Sequence, residues 1–155
     1  MNHILTGAAL GSLSPNLGSA FLIGTLAHFI LDRIPHLEYD WLPHNLQKSL
    51  TNKQKWFSIL FGVFLGLLIV GLIMWIKPGN SWPIILAGLL GCIWLDIPAV
   101  FLPWFFGEQI KKNIFLKPLI QIHFFFHNDS MINFQTRLFM HLVFIGSAIA
   151  ILCFT

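Results

Sequence analysis

WFSILFGVFLGLLIVGLIMWI, residues 56–76, is an apolar stretch without a single charged side chain. A helix of about 20 such residues spans the hydrocarbon core of a bilayer, so this stretch is predicted to be a transmembrane helix. The rest of the chain agrees, since 56% of its residues are hydrophobic and only 10% are charged. Soluble domains carry about 25% charged residues, and the composition therefore argues against a soluble fold.

Further apolar segments lie on both sides of this span. Residues 82–106 are long enough to cross a second time, and residues 138–154 form a final span of marginal length. Residues 4–31 form either one kinked span or a short helical hairpin that turns near Pro15. We predict an all-α, polytopic membrane bundle of about four to five membrane-embedded helices, built as a single domain over residues 1–155.

The basic residues indicate an orientation for this bundle. Lysines and arginines concentrate in the polar segments 32–55 and 107–118, whereas the turn between the two long spans carries only Lys77. Because cytoplasmic loops are enriched in Lys and Arg, both polar segments are predicted to be cytoplasmic. The net charge of +3 comes from few residues and forms no basic stripe interleaved with aromatic side chains, so no nucleic-acid partner is expected.

The residues that follow the second apolar segment suggest a metal site. AHFILDRIPHLEYD, residues 27–40, places His28, Asp32, His36 and Asp40 at intervals of four. Side chains four residues apart lie on one face of a helix, about 5–6 Å apart at Cβ, which suits two ligands of one ion. Imidazole and carboxylate together are typical ligands of Zn²⁺, Mn²⁺ or Fe²⁺.

Other candidate ligands map to the same predicted membrane face. His123 and His127 repeat the four-residue spacing in HFFFH, and His3 joins them if the first segment is a hairpin. Asp96 lies inside an apolar span, where a carboxylate costs several kcal/mol unless it is paired or solvated. Each has a structural alternative, since interfacial histidines also face headgroups and Asp96 could brace the break at Pro98. The candidate metal ligands are His3, His28, Asp32, Asp96, His123 and His127, with His36 or Asp40 as the second shell or general base.

These motifs resemble a known family. HFILD (28–32), the Asp96 of GCIWLDIPAV (91–100), His3 near the start and HFFFHNDSMINFQ (123–135) are similar to motifs of the bacterial membrane-bound metal-dependent hydrolases, also described as LexA-binding inner-membrane-associated hydrolases. The chain departs from the family in having Leu95 where a Pro-Asp pair has proline, and it lacks a His-Arg-Gly-x-Thr-His motif. The resemblance implies a polytopic helical protein of the bacterial inner membrane with a divalent metal, Zn²⁺ first and Mn²⁺ or Fe²⁺ as alternatives.

Three functions remain open at this point. A metal-dependent hydrolase would act at the cytoplasmic interface on a membrane lipid that contains phosphate, with Arg33, Lys111 or Lys112 attracting the anion. A non-catalytic integral subunit or scaffold would use its 16 Phe and 6 Trp to pack against partner membrane proteins. A small ion or proton transporter would line its path with Asp96 and the histidines, and would need to form a homo-oligomer.

Overall fold

A computed structural model describes residues 1–34, 51–77, 81–126 and 133–155. Every regular element in these ranges is helical, which confirms the predicted all-α class for the described part of the chain. The α-helices are α1 (Asn2–Ser12), α2 (Leu17–Arg33), α3 (Asn52–Ile76), α4 (Trp82–Ile93), α5 (Leu102–Phe106), α6 (Lys117–Phe126) and α7 (Phe134–Phe154). A π-helical segment (Ile97–Phe101) precedes α5, and a 3₁₀ turn (Glu108–Lys112) follows it.

Two of these helices are long and apolar enough to cross a membrane. They cover Lys53–Ile76 in α3 and Phe134–Phe154 in α7. Helix α7 begins four residues before the predicted span, at Phe134, because Asn133 caps it by accepting a hydrogen bond from the Thr136 N–H at 2.8 Å. The extra turn gives α7 a length of 21 residues, about the thickness of the hydrocarbon core.

The second long span predicted for residues 82–106 is broken. Helix α4 ends at Ile93 after 12 residues, and the chain continues through the π-helical segment into α5. Pro98 and Pro103 explain the interruption, because proline has no N–H to donate and its ring clashes with the preceding turn of an α-helix. The range is therefore helical but interrupted near Pro98, and its crossing of a membrane stays a prediction.

Residues 4–31 form a hairpin and not a single kinked span. Helix α2 begins after Asn16, whose side chain accepts a hydrogen bond from the Ser19 N–H at 3.0 Å in a capping box. His3 near the start of α1 lies 3.4 Å from Asp32 near the end of α2. The two helices are therefore antiparallel, and the first residues of the chain lie at the same end of the bundle as Asp32.

The short helix α1 lies at the centre of the bundle. It contacts α2, α3, α4 and α7. At its far end the hydroxyls of Ser12 and Thr155 are 3.0 Å apart, which brings the ends of α1 and α7 together. The buried core around α1 consists of Ile4, Leu5, Ala8, Ala9, Val70, Ile85, Leu89, Ala148 and Leu152. A helix too short to span a bilayer is thus enclosed by longer ones.

Glycines allow α1, α2 and α4 to approach one another closely. A Cβ atom placed on Gly88 of α4 would lie 2.6 Å from the Cα atom of Gly11 in α1. A Cβ atom on Gly7 would lie 2.7 Å from the Gly88 carbonyl oxygen, and one on Gly24 of α2 would overlap the same carbonyl. Small residues at such positions are the usual basis of close helix packing in membranes. This contact sets the spacing of α1, α2 and α4, which lie around the candidate site together with α6.

Candidate metal centre

His28 is the most deeply placed of the candidate ligands. It lies on α2 with no exposed surface, and its Nδ1 atom is 2.7 Å from the carbonyl oxygen of Cys92. Because a carbonyl oxygen can only accept, the Nδ1–H donates this hydrogen bond, and the Nε2 atom of the neutral ring keeps its lone pair. Cys92 lies in the last turn of α4, where carbonyl oxygens lack partners within the helix. Such a bond orients metal-binding histidines in many proteins.

Asp32 follows His28 by one helical turn and is almost completely buried. Its Oδ2 atom lies 3.2 Å from His28 Nε2, and its Oδ1 atom lies 3.4 Å from His3 Nε2. The side chain of Asp32 is 1% exposed, while that of His3 is 13% exposed. A carboxylate at such depth is costly unless cations or hydrogen-bond donors surround it. Imidazoles from two helices face its oxygens, yet among the described residues Oδ2 has no hydrogen-bond partner, which favours a bound cation here.

Helix α6 adds His123 to this cluster. Its Nδ1 atom lies 3.1 Å from His28 Nε2, 3.6 Å from Asp32 Oδ2 and 3.9 Å from Asp96 Oδ1. His123 and Ile120 are the buried residues of α6, so this helix turns one narrow face towards the bundle. The rings of Phe29 and Phe126, 4.6 Å apart at their centroids, pack α2 against the end of α6.

Asp96 comes from the break after α4. Its side chain is 24% exposed, whereas the side chain of Asp32, the other acidic residue described in the cluster, is 1% exposed. The π-helical segment begins at the next residue, Ile97. Local departures of this kind are frequent at functional sites because they redirect a side chain that a regular helix would place elsewhere. The prolines that interrupt the predicted span thus coincide with the point where Asp96 joins the cluster.

The spacing of these atoms fits a bound cation. Among the described residues, His3, His28 and Asp32 form one group that could hold a metal ion, and His28, Asp96 and His123 form another. Within each group the donor atoms lie within 4.8 Å of one another. Two ligand atoms bound to one ion at about 2.0–2.2 Å lie about 3–4 Å apart, close to the separations of 3.1–3.9 Å between the neighbouring donors.

The structure brings together five of the six side chains proposed as ligands from the sequence: His3, His28, Asp32, Asp96 and His123. The sixth, His127, and the proposed second-shell or basic residues His36 and Asp40 lie outside the described residues. The sequence analysis missed the carbonyl of Cys92, since a backbone acceptor leaves no signal in residue type. It also missed Thr25, which accepts a hydrogen bond from Trp94 Nε1–H at 3.1 Å and donates one to the Gly91 carbonyl at 3.1 Å.

Comparison of the chain with protein-family models, with curated proteins and with solved structures gives no match. The resemblance of its motifs to membrane-bound metal-dependent hydrolases therefore stays a prediction. What the structure shows is a buried His/Asp cluster at one end of a helical bundle that has two candidate membrane spans.

Proposed function

We propose that this protein is a metal-dependent hydrolase of the bacterial inner membrane that cleaves a phosphate-containing lipid at the cytoplasmic interface. One observation carries the proposal. His28, Asp32, Asp96 and His123 come from three separate parts of the chain, yet their donor atoms lie within 3.1–3.9 Å of their neighbours in the cluster. A divalent ion, Zn²⁺ first and Mn²⁺ or Fe²⁺ as alternatives, fits this mixture of imidazole and carboxylate ligands.

The chemistry follows from an ion in this cluster. His28, Asp32, Asp96 and His123 would hold a divalent cation, which would lower the pKa of a water from its bulk value to about 7 and polarise a phosphoryl oxygen. The water oxygen would form the new bond to phosphorus as the ester P–O bond breaks. The water's proton would pass to a base, for which His36 or Asp40 is proposed, and from that base to the leaving oxygen. His3 and Asp96, the more exposed members of the cluster, mark the side from which substrate would approach.

Basic side chains near the cluster favour an anionic substrate. Arg33 directly follows Asp32 and is exposed at the end of α2. Lys111 places its Nζ atom 5.8 Å from the ring centroid of Phe124, the residue after His123. Cations at this end of the bundle would attract a phosphate headgroup, and a cytoplasmic location for them follows the positive-inside rule.

The placement in the bilayer is part of the proposal. Helices α3 and α7 would cross the membrane, and the shorter helices α1, α2 and α4 would be embedded among them, which gives five embedded helices, within the predicted four to five. The metal centre would then lie at the edge of the hydrocarbon, level with lipid headgroups. Segments 32–55 and 107–118 would be cytoplasmic.

A scaffold with a structural ion is the second candidate. The near-complete burial of His28, Asp32 and His123 favours it, because structural metal sites are closed whereas catalytic sites keep an open position. In this case the protein would be an integral subunit that packs against partner membrane proteins, and the ion would stabilise its fold without turnover.

Hydrolysis of defined lipids separates the two candidates. The detergent-purified protein is reconstituted in vesicles of phosphatidylglycerol, phosphatidic acid or phosphatidylethanolamine, and phosphorus NMR follows the products. We expect a new phosphate or phosphomonoester signal that disappears with chelator and returns with Zn²⁺ or Mn²⁺. His141→Gln is the control, because His141 is buried in α7 outside both donor groups. A metal-loaded protein that releases no product from any of these lipids would contradict the proposal and favour the scaffold.

A further inference from the structure

The donor atoms of the centre are distributed over two overlapping groups. In the described part of the chain, one group joins His28 to His3 and Asp32, and the other joins His28 to Asp96 and His123. The two groups share His28, while His3 and Asp96 fall in different groups. Donors on one ion lie at most about 4 Å apart, so two overlapping groups of donors suit more than a single ion.

The carboxylate of Asp32 contacts members of both donor groups. Its Oδ1 atom faces His3 Nε2 at 3.4 Å, while its Oδ2 atom faces His28 Nε2 at 3.2 Å and His123 Nδ1 at 3.6 Å. Each oxygen therefore faces a different set of imidazoles. A carboxylate placed in this way can bind two neighbouring ions, one through each oxygen.

His28 cannot bridge two ions in the same manner. Its Nδ1 atom is engaged by the Cys92 carbonyl at 2.7 Å, so only Nε2 can bind a metal. Nε2 lies 3.1 Å from His123 Nδ1, and His28 belongs to both donor groups. Because a single nitrogen lone pair binds one ion, we place His28 with His123 and Asp96. His3 and the Oδ1 atom of Asp32 are left as donors to an ion on the other side.

We infer that the centre holds two divalent ions bridged by the Asp32 carboxylate. The first is bound by His28 Nε2, His123 Nδ1, Asp96 and Asp32 Oδ2. The second is bound by His3 Nε2 and Asp32 Oδ1, with water or a substrate oxygen completing its coordination. This inference rests on the proposed function and deepens it, because paired ions about 3.5–4 Å apart stabilise the attacking and the leaving oxygen of a phosphoryl transfer.

A single-ion centre is the alternative that the experiment must exclude. In that arrangement His3 would only hydrogen-bond the Asp32 carboxylate and position it for one ion. Loss of such a second-shell partner weakens metal binding by about 10–100-fold but leaves the number of sites unchanged. The two arrangements therefore differ in the number of ions bound at saturation and not merely in affinity.

The test is a Mn²⁺ titration of the full-length, chelator-stripped protein, wild type beside His3→Ala and the control His141→Ala. Bound Mn²⁺ is counted by equilibrium dialysis, and electron paramagnetic resonance is recorded at saturation. We expect about two ions per chain in the wild type and the control, with a spin-coupled spectrum, and about one in His3→Ala, with the spectrum of an isolated ion. Helix content by circular dichroism verifies that each variant is folded.

Each outcome decides a separate question. The two-ion centre would be overturned if the wild type binds one ion per chain and His3→Ala also binds one, but more weakly. The proposed function would then still stand. No specific Mn²⁺ or Zn²⁺ binding by the wild type would overturn both. If His3→Ala does not fold, the wild-type count and its spectrum still decide between one ion and two.

Discussion

Replacing Asp32 with asparagine is expected to abolish metal binding and lipid hydrolysis while leaving the bundle folded. Asparagine keeps the shape of the side chain but removes the charge and one metal-binding oxygen. Because Asp32 contacts His3, His28 and His123, the variant loses the group that joins every described histidine of the cluster. Loss of a second-shell partner alone costs about 10–100-fold in metal affinity, so hydrolysis by Asp32→Asn should fall by more than about 100-fold.

Stability separates this effect from misfolding. Without an ion, a carboxylate with 1% of its side chain exposed is a buried charge that opposes folding, so apo Asp32→Asn should unfold at the same temperature as the apo wild type or above it. Metal at about 100 times its dissociation constant stabilises the wild type by about 2.7 kcal/mol and should leave Asp32→Asn unchanged. A variant whose midpoint still rises with metal, or that retains hydrolysis, would show that Asp32 is not a ligand.

Gly88→Leu is expected to destabilise the protein more than any substitution at the metal centre. A Cβ atom at Gly88 would lie 2.6 Å from Gly11 Cα and 2.9 Å from Gly11 N, and neither backbone atom can move without shifting α1. Overpacking a well-packed core costs about 1–3 kcal/mol or more, and here three helices meet at one point. Separation of α2 from α4 would also move the Cys92 carbonyl away from His28, so metal binding should be lost with stability.

Gly71→Leu is the matched control for this substitution. Gly71 lies on α3, and a Cβ atom there would have no neighbour within 4 Å. The same change should therefore leave the unfolding midpoint in detergent nearly unchanged, as followed by size-exclusion chromatography after heating. If Gly88→Leu is as stable as Gly71→Leu, the close contact between α1 and α4 does not hold the bundle together.

The longest helices could be predicted from composition, whereas the interrupted ones could not. The charge-free run at 56–76 leaves no alternative to a helix once a bilayer is assumed, and α3 covers it fully. In residues 82–106 the apolar character is equally continuous, so length alone favours one span. Pro98 and Pro103 show where an α-helix is weakened, but they do not by themselves fix its last residue, which the structure places at Ile93.

The spacing of residues in the sequence predicts which side chains share a helix face in the candidate site. It does not predict how the helices bring these side chains together. The four-residue interval between His28 and Asp32 predicts that they share a helix face, and their side chains lie 3.2 Å apart. Their distances to His3, Asp96 and His123 depend on how the helices pack. The sequence analysis left open whether residues 4–31 form a hairpin, on which the position of His3 depends. The cap at Asn16 and the contact between His3 and Asp32 settle this in the structure, and no periodicity reveals the second of them.

The metal content of the purified protein decides whether the His/Asp cluster is a metal centre. The wild type and His28→Ala, purified in detergent without chelator, are measured by mass spectrometry for Zn, Mn and Fe per chain, with His141→Ala as the control for loss of a buried histidine outside the centre. We expect stoichiometric metal in the wild type and in His141→Ala, and its loss in His28→Ala. A wild type without stoichiometric metal, or a His28→Ala variant that retains it, would contradict the assignment of this cluster as a metal centre.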